Sequence, residues 1–327
     1  MPRPSAVPPP VTAVTDAAGA WLPERLSRVE GRLTELTAGH GQTLAEDAGA
    51  TLAAGGKRLR PLLVLLCAGP DGGDGALRAA AAIELVHMAT LVHDDVLDRA
   101  PLRRGLPTVA ARSGAQRATA VGDLLFSRAF AEISQPEDSH RVRLLSSASV
   151  GLAMGELAQR RDAFDLDVTA ERYLERCRLK TARLFEAACL LGRPPGSGEA
   201  DAALAGFGDR IGLAFQLLDD VLDVAGPPER TGKARGTDLL DGTVTLPFIL
   251  ARRADPALGE ADLRELDPAG AEQLCRRIEA TGALEEVREM ALREVVEAKG
   301  LLGSQHFGED ERRLLSLVAD GVVERYS

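Results

Sequence analysis

Two identical acidic pentads, Asp-Asp-Val-Leu-Asp, occupy residues 94–98 and 219–223, each at the end of an apolar, helix-forming segment. On a helix, residues four apart project from one face, so the first and last carboxylates of each pentad point together. Three crowded carboxylates repel one another, and Asp is a poor residue for a helix interior. Both pentads therefore weaken the helices that carry them, and no purely structural reason for them is apparent.

The alternative is that each pentad is a solvated helix end. Against this, Leu91 and His93 precede the first pentad and Phe215 precedes the second, in segments that we expect to be buried. Carboxylates that project inward from facing helices build divalent metal sites in helical bundles. All-oxygen ligands favour Mg²⁺, which usually keeps waters and substrate phosphates among its ligands. We therefore expect the two pentads to hold a phosphorylated ligand through metal.

The rest of the sequence has a helical pattern. From Trp21 onward apolar residues recur three and four positions apart, and alternating β-branched segments are missing. This pattern predicts about ten helices and no convincing strand. Breaks rich in Gly and Pro separate the helices, but none is long enough to divide two domains. We predict an all-α, single-domain helical bundle around a central cavity at 19–327, after a disordered Pro-rich tail at 1–18.

Composition excludes several classes of partner. The 327 residues include 49 Asp and Glu against 39 Lys and Arg, and the net charge of -10 repels phosphate backbones. Aromatic residues are only 3%, too few for base stacking, so we expect no nucleic acid partner.

The four cysteines form no Cys-x-x-Cys pair, which is typical of reduced thiols. No segment approaches the roughly 18 uncharged apolar residues of a membrane span, and a signal peptide is missing. We expect a cytoplasmic protein that does not insert into membranes.

Basic residues occur in compact groups. Gly55 and Gly56 precede Lys57, Arg58 and Arg60 in what we predict to be a loop entering a helix, where backbone amides and guanidinium groups suit a diphosphate. Three further groups follow: Arg103 with Arg104 after the first pentad, Lys180 with Thr181 in a long helix, and Lys233 after the second pentad. Each alone is most simply a solvated charge. Together with the pentads they predict one phosphate-rich cavity.

These motifs resemble those of the trans-prenyltransferases, the head-to-tail polyprenyl diphosphate synthases. The matching segments are GGKRLRP (55–61), LVHDDVLDRAPLRRGLPT (91–108), GELAQ (155–159), LKTARLF (179–185), FQLLDDVLD (215–223) and TGKARGTDLLDGTVTLP (231–247). One such motif is weak support, whereas six in family order are specific.

The resemblance implies the all-α prenyl synthase fold, a homodimer, and three Mg²⁺ ions held by the pentads. The implied metal ligands are Asp94, Asp95, Asp98, Asp219, Asp220 and Asp223. The residues implied to hold isopentenyl diphosphate are Lys57, Arg60, His87 and Arg104. Those implied to hold the allylic diphosphate are Arg103, Lys180, Gln216 and Lys233, with Thr181 near the reacting carbon.

The implied reaction is the condensation of isopentenyl diphosphate onto an allylic diphosphate primer. Its implied catalytic residues are Lys180, Thr181, Gln216, Asp94 and Asp219. Metals and cations stabilise the departing diphosphate, and the allylic cation left in an apolar cavity is attacked by the double bond of isopentenyl diphosphate. The proton then lost passes to the released diphosphate, since no side chain stands out as a base. One position departs from the family pattern, because Thr243 stands where many members carry Lys.

Product length depends on the residues one turn before the first pentad. Ala89 and Thr90 occupy places where short-chain synthases of the resembled family carry bulky aromatics. Small side chains there predict a medium to long all-trans product of six to eight or more prenyl units. The floor of the cavity must then come from another helix or the dimer partner, with Met154 and Phe126 as candidates.

Three alternatives remain open. A geranylgeranyl diphosphate synthase uses the same residues and stops sooner. A terpene cyclase shares the fold and one acidic motif but does not need the GGKRLRP segment. A non-catalytic partner subunit of a heteromeric synthase would normally carry eroded acidic motifs, and both pentads are intact here.

Overall fold

The computed structural model describes residues 9–39, 41–135, 139–194, 196, 198–226, 235–303 and 305–324. In chain order the α-helices are α1 (Pro9–Ala18), α2 (Trp21–Ala38), α3 (Gln42–Ala53), α4 (Leu59–Ala68), α5 (Asp74–Leu97), α6 (Val109–Ser113), α7 (Ala115–Ile133), α8 (Ser139–Arg161), α9 (Ala170–Cys177), α10 (Arg183–Leu191), α11 (Glu199–Ala225), α12 (Thr237–Leu240), α13 (Leu246–Ala254), α14 (Pro268–Ala280), α15 (Ala283–Gly300) and α16 (Glu309–Glu324). A π-helical turn, Arg178–Ala182, joins α9 to α10, and two 3₁₀ turns, Pro256–Glu260 and Leu263–Glu265, follow α13. The prediction of an all-α bundle is confirmed.

Helix α5 lies at the centre of the bundle. It packs most extensively against α7 and also contacts α2, α4 and α10. A run of alanines, Ala79–Ala82, favours helix and lets neighbouring helices approach closely. An 18-residue window of α5 has a mean hydropathy of 1.4, apolar enough to cross a membrane, contrary to the prediction that no segment approaches this. Since 78% of that window is buried inside the protein, α5 is a core helix.

Glycines set the spacing between α8, the π turn and α11. A Cβ atom at Gly155 of α8 would lie 2.6 Å from the backbone nitrogen of Lys180. A Cβ atom at Gly212 of α11 would lie 2.5 Å from Cα of Ala182 on the other side. No side chain fits at either contact, so glycine allows the π turn to be held closely between α8 and α11.

The N-terminal tail differs from its prediction. Residues 1–8 lie outside the described residues, but Pro9–Ala18 form a helix that packs against α16. Val11 and Val14, three residues apart and thus on one face, are both buried. The prolines do not prevent this, because the first turn of a helix tolerates residues without an N–H group. Burial of the two valines stabilises the helix.

One small hairpin interrupts the helical pattern. Strands β1 (Leu102–Arg103) and β2 (Leu106–Pro107) pair antiparallel, and the prediction of no convincing strand missed them. Arg104 and Gly105 between them have φ values of 52° and 76°, as in a type I′ turn, which matches the twist of paired strands. The hairpin holds Arg103 and Arg104 immediately after the first pentad.

Candidate active site

A cavity of about 270 Å³ opens between α5, α8, α9, the π turn, α11 and α12. It brings together residues from both pentads and from the predicted basic groups. Its charged lining residues are Arg60, Asp94, Asp98, Arg103, Arg160, Arg176, Lys180, Asp219, Asp220, Asp238 and Asp241. Thr181, Gln216 and Thr243 also line it. We call it the acidic cavity. The predicted meeting of both pentads at one cavity is therefore observed.

The carboxylates of the first pentad contact arginines. Asp95 is buried and accepts a 2.7 Å hydrogen bond from Nε of Arg103. Asp98 accepts one from Nη2 of Arg160 at 2.5 Å. Burial raises the pKa of Asp94 to about 6, and the nearby Lys180 opposes this shift. Each carboxylate of the first pentad therefore has a cation nearby, and Asp94 and Asp98 line the acidic cavity.

The second pentad is held by a partly buried chain of hydrogen bonds. Thr181 donates to Oε1 of Gln216 at 2.7 Å, and Gln216 donates to Oδ1 of Asp220 at 2.8 Å. The hydroxyl of Tyr173 donates to the other carboxylate oxygen of Asp220. Burial raises the pKa of Asp220 to about 8, Asp238 adds to the shift, and the two hydrogen bonds oppose it. This chain fixes three predicted site residues relative to one another.

The two remaining carboxylates of the second pentad lie at different places. Asp219 is exposed and lines the acidic cavity. Asp223, one turn further along α11, accepts a 3.2 Å hydrogen bond from the backbone nitrogen of Asp238. The pentad thus both faces the cavity and ties α12 to α11.

Lys180 lies on the π turn, and α8 holds its ammonium group. Nζ of Lys180 is 2.6 Å from Oε2 of Glu156 and donates to Oε1 of Gln159 at 3.2 Å. Burial alone lowers the pKa of Lys180, but Asp94 and Glu156 more than offset this and raise it. Lys180 is therefore a fixed cation beside the first pentad. Lys180 is therefore not simply a solvated lysine, since its side chain is only 24% exposed and its ammonium group contacts both partners.

A second cavity of about 150 Å³ adjoins the acidic cavity along α5. It is lined by Arg58, His87, Arg103 and Arg104 together with Glu84 and Asp95, and we call it the basic cavity. Burial, followed by Arg60, Arg104, Arg103 and Arg58, lowers the pKa of His87 well below its usual value. His87 and Arg103 line both cavities, so the two cavities are neighbours.

The GGKRLRP residues divide between several environments. Arg60 reaches the acidic cavity, where its guanidinium lies 4.7 Å from the centre of the Phe185 ring. Arg58 has a left-handed backbone at the start of α4 and donates to Glu30 at 2.5 Å and to Glu84 at 2.9 Å. Lys57 is half-buried and lines neither of the two cavities. Lys233 lies outside the described residues.

The donor chemistry of the pentads suits Mg²⁺. Among the residues that the structure describes, no three Asp, Glu, His or Cys side chains are already gathered as a metal site. Four pentad carboxylates nevertheless line the acidic cavity, those of Asp94, Asp98, Asp219 and Asp220. Oxygen donors in this number, with room for water and phosphate oxygens, match the ligands that Mg²⁺ prefers. The residues therefore fit the ion that the pentads predict.

Several residues that shape the site were missed by sequence reasoning. Arg176 is buried, donates to the backbone carbonyl of Val244 at 2.7 Å and lies 3.7 Å from the fully buried Asp162. Phe164, with a φ of 63°, packs on Gly242 and donates its backbone N–H to Gly242 at 2.7 Å. These contacts position the loop that carries Thr243. Only the tertiary fold brings them together, so no local pattern indicates them.

The two chain-length residues differ in position. Thr90 lines the acidic cavity, whereas Ala89 is fully buried and is not part of the lining. Leu91, Leu152, Leu184 and Phe215 supply the apolar part of the same wall. Of the proposed floor residues, Met154 is 55% exposed and Phe126 stacks on His93 at 5.8 Å between ring centres. Met154 therefore does not close the cavity within one chain.

Comparison with known proteins agrees with this geometry. The pattern of the polyprenyl synthetase family matches residues 42–272. The chain belongs to the polyprenyl synthetase family. Its members are prenyltransferase enzymes with an all-α fold, and the predicted enzyme class is thereby confirmed.

Two curated relatives and one solved structure illustrate the likeness. The chain is 39% identical to heptaprenyl diphosphate synthase component 2 of Geobacillus stearothermophilus, over 76% of this chain and 81% of that protein. It is 38% identical to geranylgeranyl diphosphate synthase of Methanosarcina mazei, over 83% and 86%. A polyprenyl synthase of Caulobacter crescentus, solved with calcium and isoprenyl diphosphate, superposes with a TM-score of 0.89 at 32% identity, over 99% of this chain and all of that one. This polyprenyl synthetase carries out head-to-tail prenyl condensation.

Proposed function

We propose that this prenyltransferase uses the basic cavity for isopentenyl diphosphate and the acidic cavity for an allylic diphosphate. The observation that carries the proposal is the shared wall, since His87 and Arg103 line both cavities. Joining two diphosphate esters requires two anion sites whose occupants can touch, because the reacting carbons must come within about 3–3.5 Å. A single diphosphate site would not need a second cationic cavity.

His87 and Arg104 hold isopentenyl diphosphate in the basic cavity. The other two proposed ligands lie outside its lining, since Arg60 lines the neighbouring acidic cavity and Lys57 lines neither. Burial and the surrounding arginines lower the pKa of His87, so His87 is neutral before substrate binds and donates a hydrogen bond to the incoming anion. The bound anion then offsets the positive potential of the arginines. The guanidinium of Arg104 supplies charge-assisted hydrogen bonds to phosphate oxygens. Arg103 completes the wall between the two substrates.

In the acidic cavity, Arg103, Lys180 and Gln216 hold the allylic diphosphate. Lys233 is proposed for the same ligand and lies outside the described residues. The proposed ligands of three Mg²⁺ ions are the six pentad carboxylates. Asp94, Asp98, Asp219 and Asp220 line the acidic cavity and would hold the metal there, whereas Asp95 lines the basic cavity and Asp223 bonds the start of α12. When bound, Mg²⁺ neutralises the charge that develops on the leaving diphosphate. Lys180, fixed by Glu156, adds a permanent positive charge at the same place.

The chain's own residues then control the allylic cation. The hydroxyl of Thr181 and the amide oxygen of Gln216, 2.7 Å from each other, present oxygen dipoles beside the acidic cavity. Leu152, Leu184 and Phe215 exclude water from the apolar wall, so the cation is not quenched. The double bond of isopentenyl diphosphate forms the new carbon–carbon bond, and the proton lost passes to the released diphosphate.

We propose a medium to long all-trans product, of six to eight or more prenyl units. Thr90 supports it, because its small side chain stands in the cavity wall one turn from Asp94. Identity to the heptaprenyl component and to the geranylgeranyl synthase is nearly equal, at 39% and 38%. Geranylgeranyl diphosphate synthase is therefore the alternative that product analysis must test.

We further propose a homodimer that works in the reducing cytoplasm. Val150, Met154 and Leu157 form an exposed apolar stripe on α8, spaced by four and three residues. A second copy of this chain would cover that stripe and close the cavity beside it. A partner in a heteromeric synthase is the competing occupant, since the Geobacillus relative is named a component. The intact pentads support activity of the chain alone. The four buried, unpaired cysteines suit a reducing compartment.

The test is elongation by the purified chain. The protein is incubated with isopentenyl diphosphate, Mg²⁺ and, separately, geranyl, farnesyl or geranylgeranyl diphosphate, and product length is measured by chromatography. We expect products beyond twenty carbons that disappear on chelation and return with Mg²⁺. Absence of elongation from every primer, or elongation indifferent to chelator, would contradict the proposed function. Termination at twenty carbons would favour the geranylgeranyl alternative.

A further inference from the structure

Arg160, in the last turn of α8, lines the acidic cavity beside the first pentad. Its Nη2 donates to Asp98 at 2.5 Å and its Nε donates to Glu156 at 2.8 Å. The side chain is 37% exposed, so it remains accessible from solvent although two of its nitrogens are hydrogen-bonded. Neither the acidic pentads nor the six family motifs include this residue.

Glu156 orients two cations into the same cavity. It holds Arg160 at 2.8 Å and Lys180 at 2.6 Å, from α8 and from the π turn respectively. Burial alone raises the pKa of Glu156, but Lys180 and Arg160 lower it below its ordinary value. An ionised carboxylate that fixes two cations toward an open cavity provides a ready-made anion site.

Thr243 also lines the acidic cavity, and its side chain is uncharged. Thr243 follows Gly242 in the loop held by Phe164 and Arg176, so its backbone position is well defined. A hydroxyl supplies no positive charge to a diphosphate. Arg160 supplies such a charge to the same cavity, and a guanidinium has five N–H donors, more than its two observed contacts use.

We propose that Arg160 binds the allylic diphosphate and supplies the positive charge that Thr243 does not. This inference rests on the proposed function of the acidic cavity. Asp98 holds Arg160 in the present structure, and a metal ion bound by Asp98 would compete with that contact and leave Arg160 to the diphosphate oxygens. Arg160 is then a substrate-binding residue for the allylic site and not for the basic cavity.

The test compares Arg160→Gln with a matched control, Arg161→Gln, and with the double variant Arg160→Gln/Thr243→Lys. Arg161 is the next residue along the helix, is 70% exposed and does not line either cavity. Binding of farnesyl thiodiphosphate, an allylic analogue that does not ionise, is measured by calorimetry at fixed Mg²⁺. The Mg²⁺ affinity without analogue and the KM values of both substrates are measured alongside, with thermal melting to check folding.

We expect Arg160→Gln to weaken analogue binding about 10- to 100-fold, as for loss of a charged hydrogen bond, with the KM for isopentenyl diphosphate unchanged. Arg161→Gln should bind like the wild type, and Thr243→Lys should restore most of the lost affinity in the double variant. If Arg160→Gln instead binds Mg²⁺ more tightly and the analogue as well as the wild type does, Arg160 is only a counter-ion of Asp98 and the inference is wrong. Failure of the wild type to elongate any primer is a separate result, which overturns the proposed function.

Discussion

Tyr173 donates its phenolic hydrogen bond to Asp220, and both side chains are buried at the edge of the acidic cavity. Asp220 also accepts from Gln216 at 2.8 Å, so both carboxylate oxygens have a donor. Burial, followed by the nearby Asp220, raises the pKa of Tyr173 well above its usual value, so the phenol remains a donor. Tyr173 therefore positions a carboxylate of the second pentad.

Tyr173→Phe should impair both stability and Mg²⁺ use. Removing a hydrogen bond to a buried carboxylate costs about 1–3 kcal/mol of unfolding free energy, measured in denaturant. The remaining single donor lets Asp220 move and favours its protonated form, so the Mg²⁺ concentration for half-maximal elongation should rise. A loss of stability with an unchanged Mg²⁺ requirement would show that Tyr173 serves only the fold.

Thr90→Phe should shorten the product. Thr90 lines the acidic cavity, so a phenyl ring there blocks the path of the growing chain, and chromatography should show shorter prenyl alcohols after dephosphorylation. Ala89→Phe is the matched comparison, because Ala89 is fully buried outside the lining. Overpacking there should instead lower the unfolding free energy by about 1–3 kcal/mol. Equal shortening by both variants without loss of stability would contradict this distinction.

Gly242→Ala should disturb the loop that carries Thr243. Gly242 has a φ of +72°, and a Cβ atom there would lie 2.5 Å from the Phe164 ring. Gly282→Ala is the control, since its φ is +81° but no atom lies within 4 Å of the added carbon. The left-handed backbone costs each variant about 1 kcal/mol. Gly242→Ala should lose more unfolding free energy than Gly282→Ala, because of the contact with Phe164. Only Gly242→Ala should raise the KM for the allylic substrate.

Native thiols should react slowly with a disulfide reagent. All four cysteines are buried, and burial raises the pKa of Cys177 and of Cys275 to about 12. Because the thiolate is the reactive form, protonated and buried thiols resist attack at neutral pH. Titration should detect almost no thiol in the native protein and all four after unfolding. A rapidly reacting thiol in the native state would contradict the described packing.

Leu157→Glu should separate the proposed dimer. The side chain is 71% exposed on the apolar stripe of α8, so a charge there would be buried unpaired in an interface. Light scattering after gel filtration should show a shift to monomer. Val296→Glu, at a residue 69% exposed on α15, is the control and should leave the mass unchanged. A wild-type monomer would contradict the homodimer itself.

The sequence predicted the parts of the site that depend on helical periodicity and motif order. Asp94 and Asp98 share a helix face because they are four residues apart, and the apolar residues before each pentad place both in the interior. Tyr173, Arg160 and Phe164 were missed, because their roles depend on contacts with residues distant in sequence. The α1 helix was missed since its stability comes from packing on α16 and not from its own composition.

The π turn between α9 and α10 has a consequence for how the enzyme responds to ligands. Gly155 of α8 and Gly212 of α11 approach the π turn at distances that leave no space for a methyl group, so these three segments are packed tightly together. We expect conformational adjustment on binding in the hairpin that carries Arg103 and Arg104, because its tip is exposed. Amide exchange should accordingly slow in residues 99–107 when both diphosphates bind and stay nearly constant in residues 178–182. We therefore expect Lys180 and Thr181 to keep their positions when substrates bind, and the hairpin that carries Arg103 and Arg104 to move.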